Sequence, residues 1–259
     1  MLIEGLDLGL EDKVISVVGG GGKTSFILRL AGELTDKERV LITTTTQMEY
    51  LCPKKVDKYI IADDLEQIKE ELKTITSEDK TIFMAKEKIA GNKVKGVPSS
   101  WIKDIKDFVH TEGLIDGMIV EADGAKRKPL KGGFLENEPV IPEGTDVVVM
   151  LAGIDVVDKK LTEEHVHRAE LAAKITGLKM GSVLKEKYFR KIIEYTTLRA
   201  SKMSFDARVI LFINKVDTEK ELNKALPIAN KLAKSEKIKF DRIILGTLKA
   251  MNPVQKVFN

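Results

Sequence analysis

A glycine-rich segment carries the clearest chemistry in the chain. Four glycines, a lysine and a threonine (Gly19–Thr24) follow the apolar run Val14–Val18. Glycines let a buried strand turn sharply into a helix, and the backbone N–H groups of that turn can surround phosphate oxygens at the positive end of the helix. Lys23 would reach the β and γ phosphates, and the Thr24 hydroxyl would bind Mg²⁺. The predicted nucleotide-binding residues of this loop are Gly19, Gly20, Gly21, Gly22, Lys23, Thr24 and Ser25.

The segment departs from the common phosphate-loop pattern G-x-x-x-x-G-K-[ST] at its first position, which is Val17 here. In register, Val17–Thr24 resembles the G-K-G-G-x-G-K-T loop of the P-loop proteins that include metal-insertion and partition GTPases and ATPases. Both leading residues are valine in this chain, so the extra lysine of that group is absent. A flexible glycine turn without ligand is the alternative interpretation.

A second motif follows the apolar run Gly117–Val120 and reads Glu121-Ala122-Asp123-Gly124. If this strand lies beside the phosphate-loop strand, Glu121 or Asp123 can hold Mg²⁺ directly or through water, and the Gly124 amide can sense the γ-phosphate. Acidic residues at a strand end can also serve solubility alone.

A third motif indicates which base is bound. The apolar run Val209–Ile213 precedes Asn214-Lys215-Val216-Asp217, the N-K-x-D pattern of GTPases. Asp217 can accept two hydrogen bonds from the N1–H and amine of guanine, whereas adenine would leave the carboxylate unsatisfied. Asn214 would contact the far side of the base, and the Lys215 stem would cover its face. The segment 246–250 falls where GTPases place their last base-contacting turn.

Strands and helices that alternate along the chain would position these motifs. The predicted parallel strands are Val14–Val18, Val40–Thr43, Thr81–Ala85, Met118–Glu121, Val147–Leu151, Val209–Asn214 and Arg242–Gly246. This alternation predicts an α/β fold, a doubly wound, mostly parallel sheet of the P-loop NTPase type. All three motifs would meet beyond the carboxyl ends of the strands. We expect one domain over residues 1–259, with a helical insertion at about 161–200 that opens after Thr162.

Several segments leave more than one interpretation open. The hydroxyls of Thr43–Thr46 could contact phosphate or Mg²⁺, or these residues could simply favour a strand. The basic stretch 126–133 could stabilise transferred charge, recognise an anionic substrate such as a phosphorylated pterin, or form a solvated turn. The segment Ile89–Pro98 is predicted to be a long loop, which could act as a lid or have no role in the chemistry. The pair His167 and Arg168 could be functional, anchor a helix to the sheet or lie in solvent. Cys52 could contact a metal, or be a bystander without a ligand partner at metal spacing.

Local sequence strings resemble the YqeC family over nearly the whole chain. The strings that carry the resemblance are Val17–Ser25, Thr43–Met48, Glu121–Ala125, Glu138–Pro142, Val166–Glu170 and Asn214–Asp217. The resemblance implies an accessory role in maturing selenium-dependent molybdenum hydroxylases, and with it selenium as a further candidate contact of Cys52. It also implies a partner that is a metalloenzyme or a cofactor-biosynthesis protein.

Composition narrows the function classes further. The chain has 259 residues, of which 43% are hydrophobic, and no apolar run approaches the roughly 20 residues of a membrane helix. The start Met1–Glu4 lacks the features of a secretory signal and the single cysteine cannot form an internal disulfide, so we expect a cytoplasmic protein. A net charge of +3 is nearly balanced and favours neither nucleic acid nor membrane as a partner.

Together the motifs predict a Mg²⁺-dependent nucleotide hydrolase that uses GTP, with ATP possible. Lys23 and Asp123 are the predicted catalytic residues, and Thr24, Glu121 and Asp123 are the predicted metal ligands. No catalytic base stands out, so slow turnover that awaits a partner is expected. Two alternatives remain, a kinase-like phosphotransferase acting on a small cofactor precursor and a nucleotide-binding assembly factor that does not hydrolyse.

Overall fold

Parallel strands built from apolar runs form the centre of the computed structural model, which describes residues 1–9, 13–35, 38–51, 55–204 and 206–259. In chain order the strands are β1 (Val14–Gly19), β2 (Val40–Thr44), β3 (Gln47–Glu49), β4 (Lys58–Ile61), β5 (Thr81–Ala85), β6 (Glu87–Ile89), β7 (Lys93–Lys95), β8 (Gly117–Glu121), β9 (Leu130–Lys131), β10 (Val147–Gly153), β11 (Val166–His167), β12 (Arg208–Asn214), β13 (Arg242–Gly246) and β14 (Val254–Phe258). The main sheet has nine strands in the order β14-β13-β12-β10-β1-β8-β2-β5-β4. Its neighbouring pairs are parallel except β13 and β14. The predicted α/β class and the seven predicted strands are confirmed.

Helices cover both faces of this sheet, as a doubly wound fold requires. They are α1 (Leu2–Leu6), α2 (Lys23–Leu34), α3 (Leu65–Lys73), α4 (Ser99–Thr111), α5 (Ala169–Thr176), α6 (Glu186–Met203) and α7 (Glu219–Ala233). Alternate side chains of β1 point to opposite faces. Val17 packs in one apolar cluster with Phe26 of α2, whereas Val18 packs in another with Phe189 of α6. Because both faces of the sheet are buried, its strands appear in the sequence as continuous apolar runs.

The segment Ile89–Pro98 is not the long loop that we expected. β6 and β7 pair antiparallel, and β3 joins them to form a small three-stranded sheet. Gly91 and Asn92 both have positive φ, which closes the short connection between β6 and β7. Each of these strands has only three residues, too few to show an alternating pattern in the sequence.

The helical segment after residue 161 also begins later than the prediction that placed its start after Thr162. α5 begins at Ala169, and β11, which pairs with β9, precedes it. The Glu163 carboxylate accepts hydrogen bonds from the amides of Arg168 and Ala169 at 3.2 and 2.6 Å. The acid expected inside the first turn therefore caps the helix from the preceding segment. His167, expected on the helix, lies on a strand instead. Among the helices of the described ranges, none is long and apolar enough to cross a membrane.

Candidate nucleotide-binding site

Glycines shape the turn between β1 and α2. Gly19 has φ of 94°, and a Cβ there would lie 2.2 Å from Leu151 O. Gly21 has φ of 87°, and a Cβ there would lie 2.4 Å from Gly153 N. A side chain at either position would meet the backbone of β10 and force a conformation that other residues rarely adopt. The glycines therefore let the turn lie directly against the neighbouring strand.

The amides of the first three glycines bind acceptors within the protein. Gly19 N donates to Asp123 Oδ2 at 3.1 Å, Gly20 N to Leu151 O at 2.9 Å, and Gly21 N to Lys128 O at 2.9 Å. Gly22 is the N-cap of α2, whose start has no side-chain cap. The first amides of a helix have no carbonyl partner one turn back. The N–H groups of Lys23, Thr24 and Ser25 are therefore left without such a partner, at the end of a helix that favours an anion.

Lys23 is buried among oxygen atoms. Its Nζ donates to Gly19 O at 2.9 Å and lies 3.1 Å from Asp123 Oδ1 and 3.8 Å from Glu121 Oε1. Burial opposes the charged ammonium, but Asp123 and Glu121 outweigh it and raise the pKa of Lys23 above its ordinary value. The structure thus brings Lys23, Glu121 and Asp123 together at the carboxyl ends of β1 and β8.

Thr24 and Glu121 form a pair of oxygen groups that fits a magnesium ion. The Thr24 hydroxyl donates to Glu121 Oε2 at 3.3 Å. Burial raises the pKa of Glu121 although Lys23 acts in the opposite direction, so a further cation beside this carboxylate would favour its charged form. Mg²⁺ is usually bound by one or two carboxylates together with phosphates and waters. Within the described ranges, no group of three or more His, Cys, Asp or Glu side chains could hold a metal by itself.

Asp123 is fully buried between two lysines. Its Oδ1 faces Lys23, and its Oδ2 lies 2.9 Å from Lys131 Nζ while it accepts the Gly19 amide. The Gly19 amide and Lys131 therefore share Oδ2, whereas Oδ1 lies at ion-pair distance from Lys23 and accepts no hydrogen bond from the described residues.

Lys131 is the site residue that sequence reasoning did not single out. Its side chain is 1% exposed, although it belongs to the basic stretch for which a solvated turn was one interpretation. In addition to its ion pair with Asp123, Nζ donates hydrogen bonds to Gly124 O and to Glu138 Oε2, both at 2.9 Å. It also lies 4.7 Å from the centre of the Phe134 ring. By contrast, Lys126 of the same stretch is exposed. Of the lysines in this stretch, we therefore place only Lys131 in the buried site.

Glu138 and Arg168 extend this network to α5. Both terminal nitrogens of Arg168 donate to the Glu138 carboxylate, one of them to Oε1 at 2.6 Å. Burial acts to raise the pKa of Glu138, but the hydrogen bonds from Arg168 and Lys131 lower it to about 2. Arg168 thus anchors the start of α5 to the loop after β9, and anchoring was one of the three roles left open for it.

His167 lies beside these cations on β11. Its Cα is paired with that of Lys131 across the short parallel ladder of β11 and β9. Burial, and then the charges of Lys131 and Arg168, lower the pKa of His167 to about 4. The imidazole is therefore neutral at physiological pH.

Asn214 connects the phosphate loop with the third motif. Its Nδ2 donates to Gly21 O at 2.7 Å, and its Oδ1 accepts from Leu248 N at 3.2 Å. The side chain is buried, so both bonds are shielded from water. The phosphate loop, the N-K-x-D segment and the turn after β13 therefore form one connected surface.

Asp217 faces the turn 246–250, where the last base-contacting turn was expected. Thr247 Oγ1 donates to Asp217 Oδ1, and Lys249 Nζ donates to Oδ2 at 3.2 Å. The hydrogen bond from Thr247, helped by Lys249, lowers the pKa of Asp217 despite partial burial. Lys215 has φ of 65°, and its Nζ donates to Asp155 Oδ2 at 2.8 Å. Ser25 lines a groove of about 470 Å³ along α2, which Leu248 also borders.

The threonines at the end of β2 bond to the backbone. Thr43 Oγ1 donates to Met84 O at 2.9 Å, Thr44 Oγ1 to Glu121 O at 2.8 Å, and Thr45 Oγ1 to Val140 O at 2.6 Å. These hydroxyls support the strand and its neighbours, which favours the structural interpretation. Cys52, the candidate metal or selenium contact, lies outside the described residues.

Known proteins are similar to this chain over segments that contain several of these site residues. The family model described as YqeC protein matches residues 15–170, which hold the phosphate loop, the acidic motif, Glu138 and Arg168. A protein of Escherichia coli (strain K12) described as uncharacterized protein YqeC is 32% identical over 213 residues, which cover 81% of this chain and 79% of that one. The chain belongs to the YqeC family.

Two solved structures are similar to this YqeC-family chain at low identity. One is FlhF complexed with GMPPNP and Mg²⁺, at 13% identity and a TM-score of 0.45, over 96% of this chain and 71% of that one. The other is HypB from Helicobacter pylori in complex with nickel, at 12% identity and a TM-score of 0.40, over 93% of this chain and 81% of that one. The α/β class of the YqeC-family chain is assigned from the topology of its main sheet.

Proposed function

We propose that this YqeC-family protein binds nucleotide with Mg²⁺ and hydrolyses GTP, with ATP as the alternative nucleotide. The hydrogen bond from Asn214 Nδ2 to Gly21 O carries the proposal. It fastens the phosphate loop to the base-specific motif, so both ends of one nucleotide have a binding surface at the same edge of the sheet. The proposal includes a single nucleotide-binding domain over residues 1–259, in which α5 and α6 are the insertion.

At the phosphate end, the amides of Lys23, Thr24 and Ser25 would bind phosphate oxygens and the Lys23 ammonium would neutralise their charge. Thr24 and Glu121 would hold Mg²⁺, which when bound supplies further charge neutralisation on the β and γ phosphates. Glu121 suits this role better than Asp123, since the oxygens of Asp123 are shared by two lysines. Asp123 would instead fix the start of the phosphate loop through the Gly19 amide.

At the base end, Asp217 would select guanine by accepting from its N1–H and amine. The Thr247 hydroxyl holds one oxygen of this carboxylate, which fixes its orientation before the base arrives. The side chain of Lys249, which is 81% exposed, holds the other oxygen and can leave without a desolvation cost. Adenine offers no matching pair of donors and would leave the Asp217 carboxylate without hydrogen bonds from the base.

Slow hydrolysis that depends on a partner follows from the acids of the site. In the nucleotide complex Glu121 would face the metal ion and Asp123 would remain held by Lys131 and the Gly19 amide, so neither acid would be free to activate water. A nucleotide-dependent accessory protein needs no fast intrinsic turnover. This supports the role that the family resemblance implies, maturation of selenium-dependent molybdenum hydroxylases through a metalloenzyme or cofactor-biosynthesis partner in the cytoplasm.

Product analysis tests the proposal and separates its alternatives. Purified protein is incubated with GTP and Mg²⁺, and free phosphate is measured beside a Lys23→Met variant. Slow phosphate release that this variant abolishes is the expected result. Phosphate transferred to an added pterin or selenium compound would favour the phosphotransferase instead. Tight binding without either product would favour the assembly factor, and the absence of nucleotide binding would refute the proposal.

A further inference from the structure

The ion pairs beside the phosphate loop join equal numbers of cations and carboxylates. Three cations, Lys23, Lys131 and Arg168, face three carboxylates, Glu121, Asp123 and Glu138. Asp123 is fully buried and is the carboxylate that touches both lysines. A buried carboxylate that loses its cations is strongly destabilised.

Nucleotide binding disturbs this balance. If the proposed function is right, Lys23 must leave Asp123 and Glu121 to reach a phosphate. Glu121 would then face the incoming metal ion, whereas Asp123 has no such replacement on its side. Asp123 needs a second cation that stays in place.

Lys131 meets that need because its position is fixed from three directions. Gly124 O and Glu138 hold its Nζ, and the Phe134 ring lies against it. Glu138 is itself held by Arg168 at the start of α5, so the anchor does not depend on the phosphate loop.

We propose that Lys131 is a positioning residue that keeps Asp123 neutralised and thereby releases Lys23 for the nucleotide phosphates. The inference rests on the proposed function and assigns a role to a lysine outside its three motifs. In the absence of Lys131, Asp123 would depend on Lys23 alone and would hold it more tightly. Nucleotide affinity would then fall, and the loss would depend on the charge of Asp123.

A double-mutant cycle separates this mechanism from a general effect of positive charge near phosphate. The variants are Lys131→Met, Asp123→Asn and the double variant, and a non-hydrolysable GTP analogue with Mg²⁺ is the probe. We expect Lys131→Met to weaken binding about 30-fold in the wild-type background and less than about 3-fold in the Asp123→Asn background. The exposed Lys126→Met is the matched control for charge, with an expected change below about 3-fold.

Equal losses from Lys131→Met in both backgrounds would overturn the inference, because Lys131 would then act independently of Asp123. Circular dichroism shows whether each variant is folded. If Lys131→Met alone does not fold, the inference is tested by comparing the affinities of Asp123→Asn and the double variant for the GTP analogue. Affinities within about 3-fold support the proposal, and a difference above about 10-fold overturns it. Failure of the wild-type protein to bind the analogue would refute the proposed function first, and this inference with it.

Discussion

Replacing Glu138 with glutamine tests the charge network between the sheet and α5. The change removes the anion between Lys131 and Arg168 while it keeps the size of the side chain. Although burial acts to raise it, the hydrogen bonds from Arg168 and Lys131 lower the pKa of Glu138 from its ordinary 4.5 to about 2. This difference corresponds to roughly 3 kcal/mol of stability at neutral pH. The side chain is 24% exposed, so solvent screening leaves most of that value.

The sign of the pH dependence follows from the lowered pKa. Because Glu138 is more acidic in the folded state, its stabilisation is fully present above the unfolded pKa and is lost as pH falls from about 4.5 toward about 2. Roughly 2 of the 3 kcal/mol would be gone at about pH 3. The free-energy difference between wild type and Glu138→Gln should therefore shrink from about 3 to about 1 kcal/mol over this range.

Urea unfolding followed by circular dichroism, from about pH 7 to about pH 3, measures this difference. Glu136→Gln, an exposed acid in the same loop, is the control and should stay within about 0.5 kcal/mol of wild type. A difference for Glu138→Gln that does not change with pH would refute the reasoning, because the loss would then come from packing. A difference below about 0.5 kcal/mol at neutral pH would also refute it.

Three further substitutions test the site itself. Asn214→Ala removes both bonds to Gly21 and Leu248 and should cost about 1–3 kcal/mol in urea unfolding, with weaker nucleotide binding; unchanged values would contradict the bridging role. Gly21→Ala should abolish binding of a GTP analogue in a titration, because its Cβ would meet the backbone at 2.4 Å; wild-type affinity would contradict the loop geometry. Thr247→Val should lower the preference for guanine over adenine about 10-fold by leaving Asp217 free to rotate, and an unchanged preference would contradict that role.

The strands and the motifs at their ends could be predicted because both depend on neighbouring residues. A strand buried on both faces is a continuous apolar run, and Lys23, Glu121 and Asn214 each lie at the end of such a run or one turn beyond it. Since parallel strands share one carboxyl edge, their order along the chain was enough to predict that these residues meet.

Lys131 shows what the sequence could not supply. Its carboxylate partners Asp123 and Glu138 come from two separate segments, and Glu138 is in turn held by Arg168 from a third. Lys131 itself lies in the two-residue pairing of β9 with β11. So short a pairing has no visible period, and a lysine among other lysines has the composition of a solvated turn. The family resemblance did include Glu138 and Arg168, although nothing in the sequence showed that they contact each other.

Titration of the purified protein with GTP and ATP analogues in the presence of Mg²⁺, repeated with Asp217→Asn, tests the central claim most directly. We predict a preference for the guanine nucleotide that Asp217→Asn abolishes, since the amide cannot accept both hydrogen bonds from guanine. Equal binding of the two nucleotides by the wild-type protein, or a preference for adenine, would contradict a GTPase-type base site.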